Sequence, residues 1–201
     1  MRGVAFFGAG TARPRGIIAT LNRPDKLNAL SRETMDLLTD AVIHFRDSDE
    51  LKVMLIRATG RYFCSGADLT GGNQKRISPT QHTAKGIREN HRLNLNNMQQ
   101  LWDEMEHIEK PFVVAHHGMC VGGGLELSLS CDFRLAARSA SYAFPEAKFG
   151  ILPATNGVSR LVRLVGPHWA RLLITANMPV DADEARIMGL VHKVLPDESF
   201  E

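Results

Sequence analysis

The chain contains 201 residues, which favours one domain spanning 1–201, because domains average roughly 100–200 residues. Hydrophobic residues make up 44% of it and charged residues 23%, so a packed core can form and disorder is excluded for most of the chain. The formal net charge of +2 and the 6% of aromatic residues do not favour a nucleic-acid-binding surface. The three cysteines form no CxxC pair, which argues for a reducing compartment and against a disulfide framework.

No segment reaches the roughly 18 consecutive apolar residues that span a bilayer. The N-terminal stretch MRGVAFFGAG lacks the long apolar region of a signal peptide. We therefore expect a cytoplasmic protein without a membrane partner.

The first half of the chain alternates between strand-like and helical patterns. A β-branched run at 17–21 predicts a strand, and Ser31 can cap a helix whose apolar residues recur every three or four positions. The nearly continuous apolar run 51–57 predicts a buried strand. A glycine-marked loop follows at 60–68, and the polar stretch 70–80 predicts a further loop.

The second half continues the alternation. The patterns predict strands at 112–115, 133–137 and 190–195 and helices at 98–108, 125–131, 158–165 and 169–176. Asp181 and Glu184 form a capping-box pattern, and Gly189 is a C-terminal stop. Strand–helix–strand alternation within one domain predicts an α/β fold with right-handed crossovers.

Two glycine-rich turns, 60–68 and 118–126, each follow a predicted buried strand. The carboxyl ends of such strands are where α/β folds bind ligands. The three glycines at 122–124 enter a helix, and its free N–H groups can bind a phosphate or a developing oxyanion. A tight packing turn explains one such segment by itself, whereas two segments and an acid just inside the helix favour a functional site.

Nucleotide-binding motifs do not fit these segments. Neither glycine turn contains the Gly-Lys-Ser/Thr of a P-loop. The segment 4–14 begins like a dinucleotide-binding turn, but Arg13 occupies the third glycine position and Pro14 would clash inside a helix.

Two glutamates are the candidate acid–base groups. Glu126 lies in an otherwise apolar segment, where a carboxylate costs energy unless it is paired or placed in a site. Glu146 follows Phe144 and Pro145 in a turn, and two buried carboxylates can divide the roles of acid and base. A helix-dipole acid at Glu126 and a surface acid beside Lys148 remain the alternatives.

Metal binding and thiol chemistry have weaker support. His116 and His117 are neighbours in a strand pattern and point to opposite faces, so they cannot bind one metal ion together. Cys64 could be a nucleophile, but no base is paired with it in the sequence, and a small apolar role is preferred. We expect no metal site.

Five motifs in order along the chain resemble the crotonase superfamily, the enoyl-CoA hydratase/isomerase proteins, from residue 17 to residue 194. They are LNRPDKLNAL at 21–30, FCSGADL at 63–69, GGGLEL at 122–127, CD at 131–132, and FPE at 144–146 with GILP at 150–153. The resemblance implies a ββα spiral core and the binding of an acyl-CoA thioester. It implies that the backbone N–H groups at Ala67 and Gly123 hold the thioester oxygen. The positions that match its CoA-binding residues are Lys26, Leu27, Ala29, Ser65, Asp68 and Leu69.

The same resemblance implies hydration of a 2-enoyl-CoA, because both acids of the hydratase branch have counterparts in Glu126 and Glu146. We assign activation of water to Glu126 and proton delivery to Glu146, with no cofactor beyond the CoA of the substrate. The alternatives are a double-bond isomerase or other CoA-enolate enzyme, in which one glutamate shuttles a proton, and a non-catalytic acyl-CoA-binding subunit.

The chain departs from the family pattern in several places. Residues 1–15 do not resemble the usual opening strands, and the stretch between the two glycine turns is longer than in the typical hydratase. The residues 154–157 read ATNG where the family commonly has Gly-x-Gly-Gly, which could exclude water or select a substrate. The family's C-terminal helical segment is expected to be largely absent. The resemblance implies trimers or hexamers, with 158–176 near the contact.

Overall fold

The computed structural model describes residues 4–8, 15–68 and 96–200. Within these ranges the backbone forms two β-sheets and the helices that connect them. The strands are β1 Val4–Gly8, β2 Gly16–Leu21, β3 Val53–Ala58, β4 Tyr62–Cys64, β5 Phe112–His116, β6 Met119–Val121, β7 Phe133–Ala137, β8 Ser141–Ala143, β9 Val180–Asp181 and β10 Lys193–Leu195. The α-helices are α1 Arg32–Asp47, α2 Asn96–His107, α3 Gly123–Leu129, α4 Gly157–Thr175 and α5 Ala182–Ile187, and short 3₁₀ helices span Pro24–Lys26, Pro145–Phe149 and Asp197–Phe200.

The larger sheet has six strands in the order β1-β2-β3-β5-β7-β10, and the smaller sheet has four in the order β4-β6-β8-β9. Strands β2, β3, β5, β7 and β10 run parallel, and β1 pairs antiparallel with β2 at the edge. In the smaller sheet β4, β6 and β8 are parallel and β9 is antiparallel. This is the predicted α/β fold with parallel strands.

The two sheets are built from a repeated pair of strands. In β3–β4, β5–β6 and β7–β8, a strand of the larger sheet is followed after a few residues by a short strand of the smaller sheet. The carboxyl ends of β4, β6 and β8 therefore lie side by side. The glycine-rich segments predicted as turns at 60–68 and 118–126 each also contain a three-residue strand, β4 and β6, which is too short to show a period in the sequence.

The ends of the helices follow the predicted signals. Ser31 caps α1 by accepting a hydrogen bond from the Thr34 N–H, and Asp181 and Glu184 form the capping box of α5. The two helices predicted at 158–165 and 169–176 are the two parts of α4, which kinks at Gly166 with a φ of 75°. The last strand is shorter than predicted, because the Leu190 N–H turns back to the Ala185 carbonyl at 2.8 Å.

The core lies around the larger sheet. The rings of Phe45 on α1 and Phe112 on β5 meet edge to face at 5.1 Å, and Trp102 on α2 is fully buried in the same cluster. None of the helices in the described ranges is both long and apolar enough to cross a membrane.

Candidate active site

Three chain segments meet where the strands of the smaller sheet end. Residues 65–68 follow β4, residues 122–126 follow β6, and Glu146 follows β8. The Gly122 N–H donates to the Ala143 carbonyl at 3.1 Å, and a Cβ at Gly66 would lie 3.4 Å from the Gly123 nitrogen. The sheet thus brings the two predicted glycine segments and both candidate acids into one region.

Two backbone N–H groups lie next to each other in this region. A Cβ built on Gly123 would lie 3.5 Å from the Ala67 nitrogen. Leu30 donates to the Gly66 carbonyl at 2.8 Å and accepts from the Asp68 N–H at 3.1 Å, and this bridge turns the Ala67 N–H away from Leu30. Gly123 is the first residue of α3, where N–H groups have no intrahelical acceptor. Such a pair of donors suits a developing oxyanion.

Glu126 is held by backbone donors from a distant segment. Its side chain lies on α3 and is 4% exposed, and Oε1 accepts the N–H of Thr155 at 2.8 Å and of Gly157 at 3.1 Å. Burial raises the pKa of this carboxyl, and the hydrogen bonds from residues 155 and 157 oppose the rise. A Cβ at Gly157 would lie 2.6 Å from Oε1, so only glycine fits there without displacing the carboxylate.

Glu146 has a different environment. It lies in the 3₁₀ helix Pro145–Phe149, its Oε1 lies 3.1 Å from where a Gly122 Cβ would be, and its buried Oε2 has no hydrogen-bond partner among the described residues. Burial raises the pKa of Glu146 to about 7, and the nearby charge of Glu126 adds to the shift. This partly buried position argues against the surface-acid alternative.

Comparison with known proteins shows the family of this chain. A family model described as enoyl-CoA hydratase/isomerase matches residues 15–201. The chain belongs to this family.

Among curated relatives, a crotonyl-CoA hydratase of Syntrophomonas wolfei is 36% identical over 182 residues, which cover 90% of this chain and 65% of the relative. A short-chain-enoyl-CoA hydratase of Clostridium acetobutylicum is 36% identical over 179 residues, covering 89% and 64%. The chain therefore spans about two thirds of the length of these relatives.

The fold is shared with solved members of the family. The crystal structure of an enoyl-CoA hydratase from Bacillus anthracis superposes with a TM-score of 0.83 at 29% identity, covering 99% of this chain and 72% of that one. The predicted membership of the crotonase superfamily and its α/β fold are confirmed.

In this family member, the predicted CoA-binding residues lie on two segments that run side by side. The Ser65 N–H donates to the Leu27 carbonyl at 3.0 Å, and Asp68 pairs with Arg23 at 3.0 Å. Lys26 is exposed at the end of Pro24–Lys26, whereas Ala29 is buried. The structure thus places five of the six positions together, and Leu69 and the 70–80 loop lie outside the described residues.

Sequence reasoning missed residues that support these segments. The Asn28 side-chain amide donates to the Thr59 carbonyl at 2.7 Å and to the Tyr62 carbonyl at 2.8 Å, and Oδ1 accepts the Arg23 N–H at 2.7 Å. The Arg23 guanidinium also donates to the Ala29 carbonyl at 2.8 Å. Both residues belong to the LNRPDKLNAL motif, so their place in it was the available signal.

The remaining candidate residues, the cysteine and the two histidines considered for thiol chemistry and metal binding, have structural roles. Cys64 is fully buried, its thiol donates to the Asn28 carbonyl at 3.1 Å, and burial raises its pKa to about 12, so it acts as a small core residue rather than a nucleophile. His116 is buried against Tyr142, while His117 contacts the Gly60 carbonyl at 2.6 Å. Within the described part of the chain, no cluster of three or more His, Cys, Asp or Glu side chains could hold a metal ion.

Proposed function

We propose that this protein adds water across the C2=C3 double bond of a 2-enoyl-CoA. The observation that carries the proposal is that two carboxylates of unequal environment, the buried Glu126 and the partly buried Glu146, lie beside the adjacent N–H groups of Ala67 and Gly123. The hydratase names of the curated relatives support the same reaction.

The two N–H groups polarise the substrate. The thioester oxygen accepts hydrogen bonds from Ala67 and Gly123, which draw electron density from C3 and stabilise the enolate that forms. Backbone donors need no reorganisation during the reaction, because α3 and the bridge at Leu30 already fix them.

The two glutamates divide the proton transfers. The ionised Glu126 takes a proton from water as the water oxygen bonds to C3, and the protonated Glu146 gives its proton to C2 as the enolate collapses. The product gains OH at C3 and H at C2, and a proton passing from Glu126 to Glu146 through solvent restores the starting state.

The assignment of base and acid follows from the partners of each carboxyl. Two backbone N–H groups favour the ionised form of Glu126. The pKa of Glu146 lies near 7, and its Oε2 has no partner in the described ranges, so it can hold a proton at neutral pH.

The CoA moiety lies, in this proposal, along Leu27, Ala29, Ser65 and Asp68, with Lys26 meeting a phosphate as a point charge and Leu69 completing the set. A single domain over 1–201, self-association into trimers or hexamers, a cytoplasmic location and the lack of a separate cofactor belong to the same proposal.

The test is incubation of the purified protein with crotonyl-CoA and longer 2-enoyl-CoAs. Hydration predicts loss of the absorbance of the conjugated thioester and a product heavier by one water, with no activity in the Glu126→Gln/Glu146→Gln double variant. Double-bond migration without a gain in mass would favour the isomerase alternative. Binding without turnover over the whole set would favour the non-catalytic subunit.

A further inference from the structure

Thr155 lies two residues before the start of α4. Its side chain is 1% exposed, and its hydroxyl accepts a hydrogen bond from Nε1 of Trp102 at 3.1 Å. Trp102 lies on α2 and is fully buried. A core indole thus contacts the residue whose N–H holds Glu126.

The polarity of this hydrogen bond is fixed by chemistry. The indole N–H can only donate, so it uses a lone pair of the Thr155 hydroxyl. The backbone N–H of the same residue donates to Oε1 of Glu126 at 2.8 Å and favours the ionised carboxylate. The indole therefore anchors the side chain of the residue whose N–H orients Glu126.

The remaining polar group of Thr155 is also tied to α2. Its carbonyl accepts from the Arg160 guanidinium at 2.9 Å, and Arg160 in turn donates to Asp103 at 2.6 Å and to Glu106 at 2.9 Å. Two charged groups interact electrostatically with Glu126. The positive charge of Arg160 favours the ionised form of Glu126, and the negative charges of Glu126 and Glu146 repel each other. Helix α2 thus fixes the segment that orients the base.

We propose that Trp102 and Thr155 are positioning residues that hold Glu126 oriented and ionised. The indole N–H anchors the Thr155 side chain, and the Thr155 N–H holds the Glu126 carboxylate. The inference rests on the proposed function, in which Glu126 is the base. It concerns the Thr155 hydroxyl, a side-chain group that fixes the place of a backbone donor.

The test compares Thr155→Val, which removes the hydroxyl at nearly constant shape, with Thr155→Ser, which keeps it. Thr155→Val is expected to lower kcat about 10- to 100-fold, because loss of the indole contact lets the segment that orients Glu126 shift. KM is expected to stay within about threefold, because Thr155 is 1% exposed and is not among the predicted CoA-binding residues. The acidic limb of the pH–rate profile moves to higher pH, because a weaker hydrogen bond from the Thr155 N–H to the charged form raises the pKa of Glu126. Thr155→Ser restores rate and profile.

Trp102→Phe is expected to change the rate and the pH profile in the same direction. The Trp102→Phe/Thr155→Val double variant is expected to be no slower than Thr155→Val, since both substitutions remove the same hydrogen bond. Trp169→Phe, at the other tryptophan, and Thr39→Val, whose hydroxyl bonds the Met35 carbonyl on α1, are the matched controls. Both controls are expected to keep the wild-type profile.

A readout without turnover separates this inference from the proposed function. Infrared titration of the glutamate carboxylates, with each variant compared with its Glu126→Gln derivative, is expected to show a higher pKa of Glu126 in Thr155→Val. Absence of hydratase activity in the wild type would contradict the proposed function, while this titration would still test the anchoring of Glu126 by Trp102 and Thr155. An unchanged Glu126 titration in Thr155→Val and Trp102→Phe, or a Thr155→Ser variant as impaired as Thr155→Val, would overturn the inference.

Discussion

Glu126 and Glu146 lie in different environments, the first buried and the second partly buried. Oε1 of Glu126 accepts two backbone N–H groups, whereas Oε2 of Glu146 is buried without a partner among the described residues. Desolvation raises the pKa of both, but only at Glu126 do backbone donors from another segment counteract it. This difference lets one carboxyl work as a base beside another that works as an acid.

Removing either acid–base group should stop turnover without removing the substrate. Glu126→Gln and Glu146→Gln are each expected to lower kcat by about 10² or more, the usual contribution of a general acid or base. Binding of a CoA product, measured by calorimetry, should persist because the oxyanion donors are backbone groups. Near wild-type rates in both variants on an accepted substrate would contradict the assignment.

The pH dependence of the reaction rate follows from the raised pKa of Glu146. A carboxyl whose pKa is raised to about 7 keeps its proton below that pH and loses it above, so an acid at this position works only on the lower side. We expect kcat/KM to fall above about pH 7 and to fall again at low pH, where Glu126 gains a proton. The residual activity of Glu146→Gln should lack the alkaline limb, and a wild-type profile that stays flat through neutral and alkaline pH would refute the role of Glu146.

At the scale of elements, the start of α4 contributes to the position of Glu126 as much as α3, which carries this residue. Gly157 is the first residue of α4, and its missing side chain leaves the space that the Glu126 carboxylate fills. Gly157→Ala is expected to displace the carboxylate and lower kcat at least about tenfold with little change in KM, as for a loss confined to the reacting groups. The neighbouring exposed Ser159, whose hydroxyl donates to the Asn156 carbonyl at 3.0 Å, provides the control Ser159→Ala. Equal rates in the two variants would show that the Glu126 carboxylate accommodates the added methyl group without loss of activity.

The sequence predicts elements with strong local signals and misses those without them. The caps at Ser31 and at Asp181 and the kink at Gly166 follow from local hydrogen bonding and backbone freedom, so they are predictable. The strands β4, β6 and β8 have three residues each, and their pairing with one another, not their own pattern, makes them strands.

The site divides in the same way. Motifs identify Glu126, Glu146 and the two glycine segments, because each of these depends on a short stretch of neighbouring residues. The partners of Glu126 come from residues 155–157, and Trp102 reaches Thr155 across 53 positions. Such contacts exist only after the helices pack on the sheets, so neither spacing nor composition predicts them.

For the whole molecule, the repeated strand pairs explain how distant segments build one site. Each repeat adds a strand to the larger sheet, which carries the core, and a short strand to the smaller sheet, which ends at the site. The three segments around the acids are thereby fixed by two sheets rather than by flexible loops, which suits preorganised catalysis.

The surface beside the site predicts self-association. Phe149, Ile151 and Leu152 are 68%, 58% and 59% exposed, and Val158 and Val162 add partly exposed apolar surface at the start of α4. We expect light scattering over a dilution series to show oligomers and Leu152→Glu to weaken them. Ile187→Glu, at an exposed position on α5, is the control. A 22.2 kDa monomer at every concentration would contradict the prediction.

The most direct measurement of the central claim is NMR of the product formed from crotonyl-CoA in deuterium oxide. If Glu126 and Glu146 add water across the double bond, the product carries one deuteron at C2 and a hydroxyl at C3, and the Glu126→Gln and Glu146→Gln variants form it far more slowly. Deuterium in a product that has gained no oxygen, or formation of the hydrated product at the same rate by the variants, would contradict the account.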